Sequence, residues 1–233
     1  MKLKLITLTL IIFSGWSIQG QNEPTPPVTK ESYKILKIDA LNLMGLGVQK
    51  LHVSYEISPL TPNKTNLPTF NINLNVPLAT TSEMNINYGM EVGGELRFYQ
   101  LRRHQNTPLA EGLFLGVGLD GGFVKFNRPL TYLNSMSQTY QNIDMEYNRT
   151  RTGIYFLMGG ASKIGEKLYF ETSFGIGWSN ANVQAQNEIN IANFNKQYDD
   201  IDDNILYLNY WEGKGQRFYM PVNVSLGYNF GEK

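Results

Sequence analysis

From Tyr33 to the end of the chain, apolar residues recur at every second position. This is the period of a β-strand, in which successive side chains point to opposite faces of a sheet. No window in this region has the 3.6-residue period of a helix. The final segment shows the pattern clearly: Met220, Val222, Val224, Leu226, Tyr228 and Phe230 alternate with Pro221, Asn223, Ser225, Gly227 and Asn229.

Applied along the whole chain, this alternation predicts eight strands. They span residues 33–43, 49–58, 68–78, 87–101, 111–126, 150–162, 167–181 and 216–230. An even number of strands suits a closed up-and-down barrel. The predicted fold is therefore all-β, an eight-stranded antiparallel up-and-down transmembrane β-barrel.

The choice of a transmembrane barrel depends on the composition of the less apolar face. That face carries glycine, asparagine, serine and a few charges, with almost no lysine. A solvated sheet face usually carries many lysines and glutamates, and only 17% of this chain is charged. Glycine instead permits close approach inside a narrow barrel. The pattern favours lipid outside the barrel, with a water-soluble barrel as the alternative.

The first 32 residues do not belong to this pattern. Residues 1–20 combine two lysines, a nine-residue apolar run and a more polar end, which is typical of a secretory signal peptide. Residues 21–32 contain three prolines and predict an extended periplasmic leader. The barrel domain then comprises residues 33–233. A secreted barrel of this kind is expected in the cell outer membrane.

Loop lengths agree with this topology. With both termini in the periplasm, the turns at 59–67, 102–110 and 163–166 face the periplasm, and all are short. The two longest connections, 127–149 and 182–215, then lie at the opposite end and are predicted to be external loops.

Four segments carry a resemblance to a known group. They are GMEVGGELRFYQLR (89–102), AEGLFLGVGLDGGF (110–123), KLYFETSFGIGWS (167–179) and VNVSLGYNF (222–230). The chain resembles the small outer-membrane β-barrel proteins of Bacteroidetes, which are similar in architecture to outer membrane protein A and X barrels. The resemblance implies outer-membrane residence, insertion by the barrel assembly machinery, and an aromatic residue near the end of the last strand. Phe230 occupies that place, although three residues follow it.

Charged residues on the predicted inner face form the first candidate site. They are Lys37, Asp39, Glu56, Glu91, Glu95, Arg97 and Glu171. Because a buried charge is costly unless it is paired, we expect Arg97 and Lys37 to bridge the carboxylates. An eight-stranded barrel is wide enough only for its own side chains, which favours a structural plug. The alternative is a gate or narrow polar pore.

Candidate catalytic and metal-binding residues are few. His52, Ser54 and Glu56 share a face of one predicted strand, but alternate residues lie about 7 Å apart, too far for direct hydrogen bonds. The sequence has no G-x-S-x-G motif and no cysteine, and it predicts no enzyme and no cofactor. The acidic group Asp199, Asp200, Asp202 and Asp203 is a weak candidate for a cation site that could bridge lipopolysaccharide phosphates. A solvated acidic loop is the alternative.

Aromatic residues near the predicted strand ends suggest girdles at the two membrane interfaces. They are Tyr33, Phe98, Tyr99, Tyr155, Tyr169, Trp178, Phe218, Tyr219, Tyr228 and Phe230. The formal net charge of zero gives no support for nucleic-acid binding. The leading hypothesis is a non-enzymatic protein with a role in envelope structure or surface interaction, with an unknown extracellular ligand at loops 127–149 and 182–215. A narrow pore or transporter is second, and a lipid-modifying enzyme is third.

Overall fold

The computed structural model describes residues 33–44, 48–58, 68–78, 84–99, 110–134, 136–186, 194–196 and 209–231. The predicted signal peptide and leader lie outside these residues. The elements are β1 (Lys34–Asp39), α1 (Ala40–Met44), β2 (Lys50–Ile57), β3 (Thr69–Pro77), β4 (Asn85–Tyr99), β5 (Gly112–Asn134), β6 (Thr139–Lys163), β7 (Leu168–Ala185), β8 (Phe194–Lys196), β9 (Gly213–Tyr219) and β10 (Val222–Asn229). No helix in this part of the chain is long and apolar enough to cross a membrane.

The strands close into a ring in which every pairing is antiparallel. β1 through β7 pair in chain order, and β10 pairs with both β7 and β1. β9 continues β10 along the edge of β7, so β9 and β10 together form the eighth strand of the wall. The predicted all-β fold with eight antiparallel strands is therefore confirmed.

The connection at 127–149 differs from the prediction of a long loop. β5 and β6 run on as one hairpin, whose register continues without interruption from Gly112↔Ala161 to Asn134↔Thr139. Its outward positions beyond Phe123, such as Lys125 and Asn127, are polar, and this obscured the strand pattern in the sequence. In the predicted loop 182–215, residues 182–185, 194–196 and 213–215 are also strand.

The wall has an apolar outside and a polar inside, as the alternation predicts. Leu119 is 62% exposed on the outer face, whereas the inward carboxylate of Glu56 is fully buried. Along β5 the outward residues from Leu113 to Phe123 are apolar or glycine, and the outer face becomes polar at Lys125. The exposed apolar residues of the other strands include Ile72, Leu74, Val92, Ile154, Phe156, Met158, Phe174, Ile176, Val222 and Leu226.

Several aromatic residues predicted to form interfacial girdles lie inside the barrel instead. Tyr33, Tyr99, Tyr155 and Tyr169 are buried, and they pack with Ile35, Phe114 and Leu157 near the end that carries the termini. Each of these tyrosines occupies an inward-facing position in its alternating strand. This position decides which face the side chain takes, even where the residue is near a strand end. Phe98, Trp178, Phe218, Tyr228 and Phe230 do face outward. A second apolar cluster, which includes Val124, Phe126, Met145, Tyr147 and Tyr210, fills the opposite end.

Glycines on the inner face leave room for the large interior side chains. A Cβ added at Gly118 would lie 2.3 Å from the ring of Tyr155, so no larger residue fits there without moving that ring. We expect Gly118→Val to lower the free energy of unfolding of the barrel by about 1–3 kcal/mol, because overpacking a filled interior displaces neighbouring side chains. Gly94→Val is the matched control, since a Cβ at Gly94 meets no atom within 4 Å.

Heat-modifiable gel mobility measures the folded fraction of each variant. Gly94→Val should show the band shift of the native barrel, and Gly118→Val should show a larger unfolded band than Gly94→Val. Equal folding of the two variants would mean that the interior is less tightly filled than the structure indicates.

Candidate functional site

A five-residue charge cluster crosses the interior of the barrel. It is here called the lower cluster, because it lies nearer to the end that carries the termini than the second cluster described below. It brings together Lys37 of β1, Glu56 of β2, Glu95 and Arg97 of β4, and Glu171 of β7. Arg97 Nη1 lies 2.9 Å from Glu171 Oε1 and 3.2 Å from Glu56 Oε2, and its Nε donates to Glu95 Oε2 at 2.7 Å. Lys37 Nζ contacts the carboxylates of both Glu56 and Glu171. Two cations thus join strands from opposite sides of the wall.

Neutral donors complete the hydrogen bonding of these carboxylates. Tyr99 donates its hydroxyl to Glu56 Oε1 at 2.9 Å, and Tyr155 donates to Glu95 Oε1 at 2.8 Å. Asn71 Nδ2 donates to Glu95 Oε2 at 2.9 Å, and Thr69 also donates to Glu56. Because buried charges are stable only when paired and hydrogen-bonded, this network suits a structural plug better than a path for ions.

A second group, here called the upper cluster, consists of Lys50, Glu91, Asp120, Arg149 and Arg151. Glu91 Oε2 accepts from Lys50 Nζ at 3.0 Å, and its other oxygen contacts Arg149. Arg151 contacts Asp120, and Arg151 Nε lies 3.7 Å from Glu91 Oε1. Of these five residues, only Glu91 was a candidate from the sequence. The arginines could have been found by continuing the inward parity of Tyr155 back to Tyr147 along β6.

Asp39 is placed differently from the other candidates. It ends β1 and caps α1, since its Oδ1 accepts from the backbone N–H of Asn42 at 2.7 Å. Its Oδ2 accepts from the backbone N–H of Val224 at 3.1 Å. Asp39 therefore satisfies an N–H of β10 at the level where β1 stops pairing with it.

The other sequence candidates are not brought together into a reactive site. His52, Ser54 and Glu56 all face inward and are buried, but Glu56 already accepts from Lys37, Arg97 and Tyr99. Asp199, Asp200, Asp202 and Asp203 lie outside the described residues. Within the described residues, no group of three or more His, Asp or Glu side chains could hold a metal ion.

A cavity of about 330 Å³ lies above the lower cluster and borders the upper one. Its polar lining includes His52, Glu91, Arg149 and Arg151. Its apolar lining includes Phe218, Met220 and Val222, which belong to the outer face of the eighth strand. The lining of the cavity therefore combines side chains of the charged interior with residues at the division between β9 and β10.

Comparison with known proteins gives little further information. No family model and no curated protein matches the sequence. Among solved structures, the chain is similar to a major outer membrane protein from Thermus thermophilus, with 10% sequence identity and a TM-score of 0.45. The match covers 86% of this chain and 98% of that one. The fold described above therefore stands on the strand pairing of this chain alone, and membership of the Bacteroidetes group stays a prediction.

Proposed function

We propose that this protein is a non-enzymatic outer-membrane barrel whose axis is blocked by interior side chains, and which makes surface contacts through the β5–β6 hairpin and the residues around β8. The observation that supports this proposal is the polarity of the wall, which is apolar on its outer face and polar on its inner face. Outward apolar residues would be unstable in water over so wide an area, whereas lipid stabilises them. The apolar stretch from Leu113 to Phe123 covers ten residue steps, or about 34 Å of strand. With a tilt of about 40°, this spans roughly 26 Å, which matches the apolar band of such barrels.

The hairpin is the part of the molecule best placed to meet a partner. β4 stops pairing with β5 at Asn127, and β7 stops pairing with β6 at Tyr147, but β5 and β6 continue to the turn at 136–138. Its tip exposes Met136 (79%) and Tyr140 (61%). β8 pairs with residues 132–134 and widens the hairpin to three strands. Exposed aromatic and methionine side chains on a projecting sheet are typical of a contact surface.

Single cysteines test which end of the barrel faces the outside of the cell. The native chain has no cysteine, so Ser137→Cys at the hairpin tip and Glu166→Cys in the β6–β7 turn each carry a unique thiol. Both positions are exposed turn residues at opposite ends of the barrel. In intact cells, a membrane-impermeant maleimide should label the thiol at position 137 and leave the thiol at position 166 unlabelled until the outer membrane is opened. Labelling of position 166 alone would contradict the proposed orientation.

The narrow pore is the alternative function, and the filled interior argues against it. Residues from four strands interlock across the lower cluster, and apolar clusters close both ends. We expect the purified barrel to give no single-channel steps in a planar lipid bilayer. A porin reconstituted in the same way controls for insertion. Reproducible steps from the folded protein would favour the pore.

The remaining expectations about partners belong to the same proposal. Insertion by the barrel assembly machinery and contact with lipopolysaccharide follow from residence in the outer membrane. Phe230 supports the first, because it is exposed just beyond the last strand and packs against Tyr228 with ring centres 4.8 Å apart.

A further inference from the structure

A groove of about 640 Å³ lies on the outer face of the wall, where β4, β5, β6, β7 and β9 run side by side. Its lining residues occupy two adjacent rows of paired positions, which begin at Met90 and Val92 on β4 and cross the sheet to Lys214 on β9. Four spacings between neighbouring strands make the groove about 19 Å wide. The buried Arg151 also borders it, but the guanidinium contacts Asp120 inside the barrel.

The part of the groove on β4 and β5 is apolar. Met90, Val92 and Phe123 face outward here and are between 44% and 52% exposed. Gly121 lies between Leu119 and Phe123 on the outward side of β5, so the floor of the groove at this point is backbone without a side chain. The missing side chain leaves a depression between large apolar residues, which an acyl chain can fill.

The part of the groove on β6, β7 and β9 is polar, because the groove meets these strands beyond their apolar segments. The apolar run of outward residues ends at Ile154 on β6, at Trp178 on β7 and at Phe218 on β9. Beyond these positions the groove is lined by Thr150, Thr152, Asn180, Asn182 and Lys214. The groove therefore crosses the border of the apolar band, and a molecule that fills it needs both a polar and an apolar part.

The neutral side chains of the polar part are available for hydrogen bonds. Within the described residues, no hydrogen bond involves the side chains of Thr150, Thr152, Asn180 or Asn182. A threonine hydroxyl and an asparagine amide can each donate and accept. The hydroxyl and amide groups of a saccharide need such partners, since they also donate and accept.

Lys214 adds one positive charge to these neutral groups. It is exposed, and no ion pair joins it to another described residue. Two carboxylates beyond the groove are bound elsewhere. Glu146 of β6 pairs with Lys125 at 2.7 Å, and Glu212 accepts from the hydroxyl of Tyr147 at 3.3 Å. No described carboxylate lines the groove itself, so its outward charge complements a phosphate.

We infer that this groove binds a phosphate-bearing glycolipid of the outer leaflet, as in the membrane part of lipopolysaccharide. The phosphate accepts from Lys214, the saccharide hydrogen-bonds with Asn180 and Asn182, and one acyl chain lies in the depression at Gly121. The inference rests on the proposed membrane location and orientation. It gives the proposed contact with lipopolysaccharide a defined site.

Trp178 provides a probe of the groove, because it is 49% exposed and lies two positions from Asn180 on the same face of β7. The full-length processed protein is placed in vesicles of brominated phosphatidylcholine, whose bromine atoms quench a tryptophan that touches the acyl chains. Lipid A or phosphatidylglycerol without bromine is then added. The recovery of fluorescence measures the affinity of each lipid relative to phosphatidylcholine, and Trp178→Phe gives the signal of Trp211 to subtract.

Lipid A should bind about tenfold more tightly than phosphatidylcholine, because several hydrogen bonds to the saccharide add to the phosphate contact. Phosphatidylglycerol should gain at most about twofold, since an exposed ion pair alone contributes little. Equal affinity for lipid A and phosphatidylglycerol would overturn the assignment to a glycolipid, and equal affinity for all three lipids would overturn the site. Absence of quenching by brominated phosphatidylcholine in the folded protein would instead contradict the lipid-facing wall, and with it the proposed function.

Two variants test the contacts of the head group. Lys214→Gln and Asn182→Leu should each lower the affinity for lipid A about threefold, and Asn182→Leu should leave phosphatidylglycerol unchanged. Lys163→Gln is the control for the first, because it removes the same charge from the opposite end of β6. Asn148→Leu is the control for the second, because Asn148 faces outward beyond Thr150 and does not line the groove. If the two variants bind lipid A as well as their controls, with all four folded by gel mobility, the groove is not the site.

Discussion

Arg97→Gln is expected to abolish stable folding of the barrel or to lower its free energy of unfolding by about 3–5 kcal/mol. Arg97 contacts Glu56, Glu95 and Glu171, and all three carboxylates are buried. Without the guanidinium, only Lys37 stays near them, so the buried cluster has two uncompensated negative charges where the native barrel has one. The loss of stability arises more from leaving buried carboxylates without a partner than from losing the attraction of the native ion pairs.

Urea unfolding in lipid vesicles, followed by tryptophan fluorescence, measures this loss. The double variant Arg97→Gln/Glu171→Gln removes one charge of each sign, and we expect it to recover part of the stability. Lys125→Met is the control for a partly exposed pair. Lys125 Nζ and Glu146 Oε1 lie 2.7 Å apart near the base of the hairpin, and an ion pair that water reaches in this way contributes little.

Two results would contradict this view of the lower cluster. One is a similar unfolding curve for Arg97→Gln and Lys125→Met, which would mean that water reaches the cluster. The other is a double variant less stable than Arg97→Gln alone, which would mean that Glu171 has a stabilising role independent of Arg97.

Much of this cluster could be predicted from the sequence, because strand parity fixes which face a residue occupies. Lys37, Glu56, Arg97 and Glu171 each lie within a clear alternating run, so their inward direction follows from the pattern alone. That they meet across the barrel follows only from the pairing of strands that are distant in the chain. The sequence alone therefore predicts which face of the sheet a residue occupies, whereas the strand pairing is needed to show which charged residues it meets.

The upper cluster shows where the pattern fails. Arg149 fell inside a segment predicted to be a loop, because the outward residues of the hairpin are polar where lipid no longer covers them. Above the apolar band the outer face is polar, and the inner face carries apolar residues such as Phe126 and Met145 beside the buried arginines, so the sense of the alternation is reversed there. Lys50 and Asp120 occupy inward-facing positions of the alternating pattern, but the sequence does not indicate which charged residues they would pair with.

The division of the eighth strand was also invisible in the sequence. Residues 216–230 alternate without interruption through Pro221, so one continuous strand is the natural prediction. Whether a strand has one neighbour or two is decided by the chain that lies beside it, here by the end of β1 at Asp39. A feature of this kind depends on long-range pairing and leaves no local signal beyond the proline itself.

Glu91→Gln is the second substitution with a large expected effect, because it removes a carboxylate that three cations of the upper cluster share. Glu91 is 1% exposed and faces Lys50, Arg149 and Arg151. Its neutralisation leaves three cations with Asp120 alone, so we expect the free energy of unfolding to fall by about 3–5 kcal/mol. Glu146→Gln, on the partly exposed partner of Lys125, should change the free energy of unfolding little.

Urea unfolding in lipid vesicles, followed by tryptophan fluorescence, measures the free energy of unfolding of Glu91→Gln and of Glu146→Gln. An unchanged stability of Glu91→Gln would show that solvent already screens these charges.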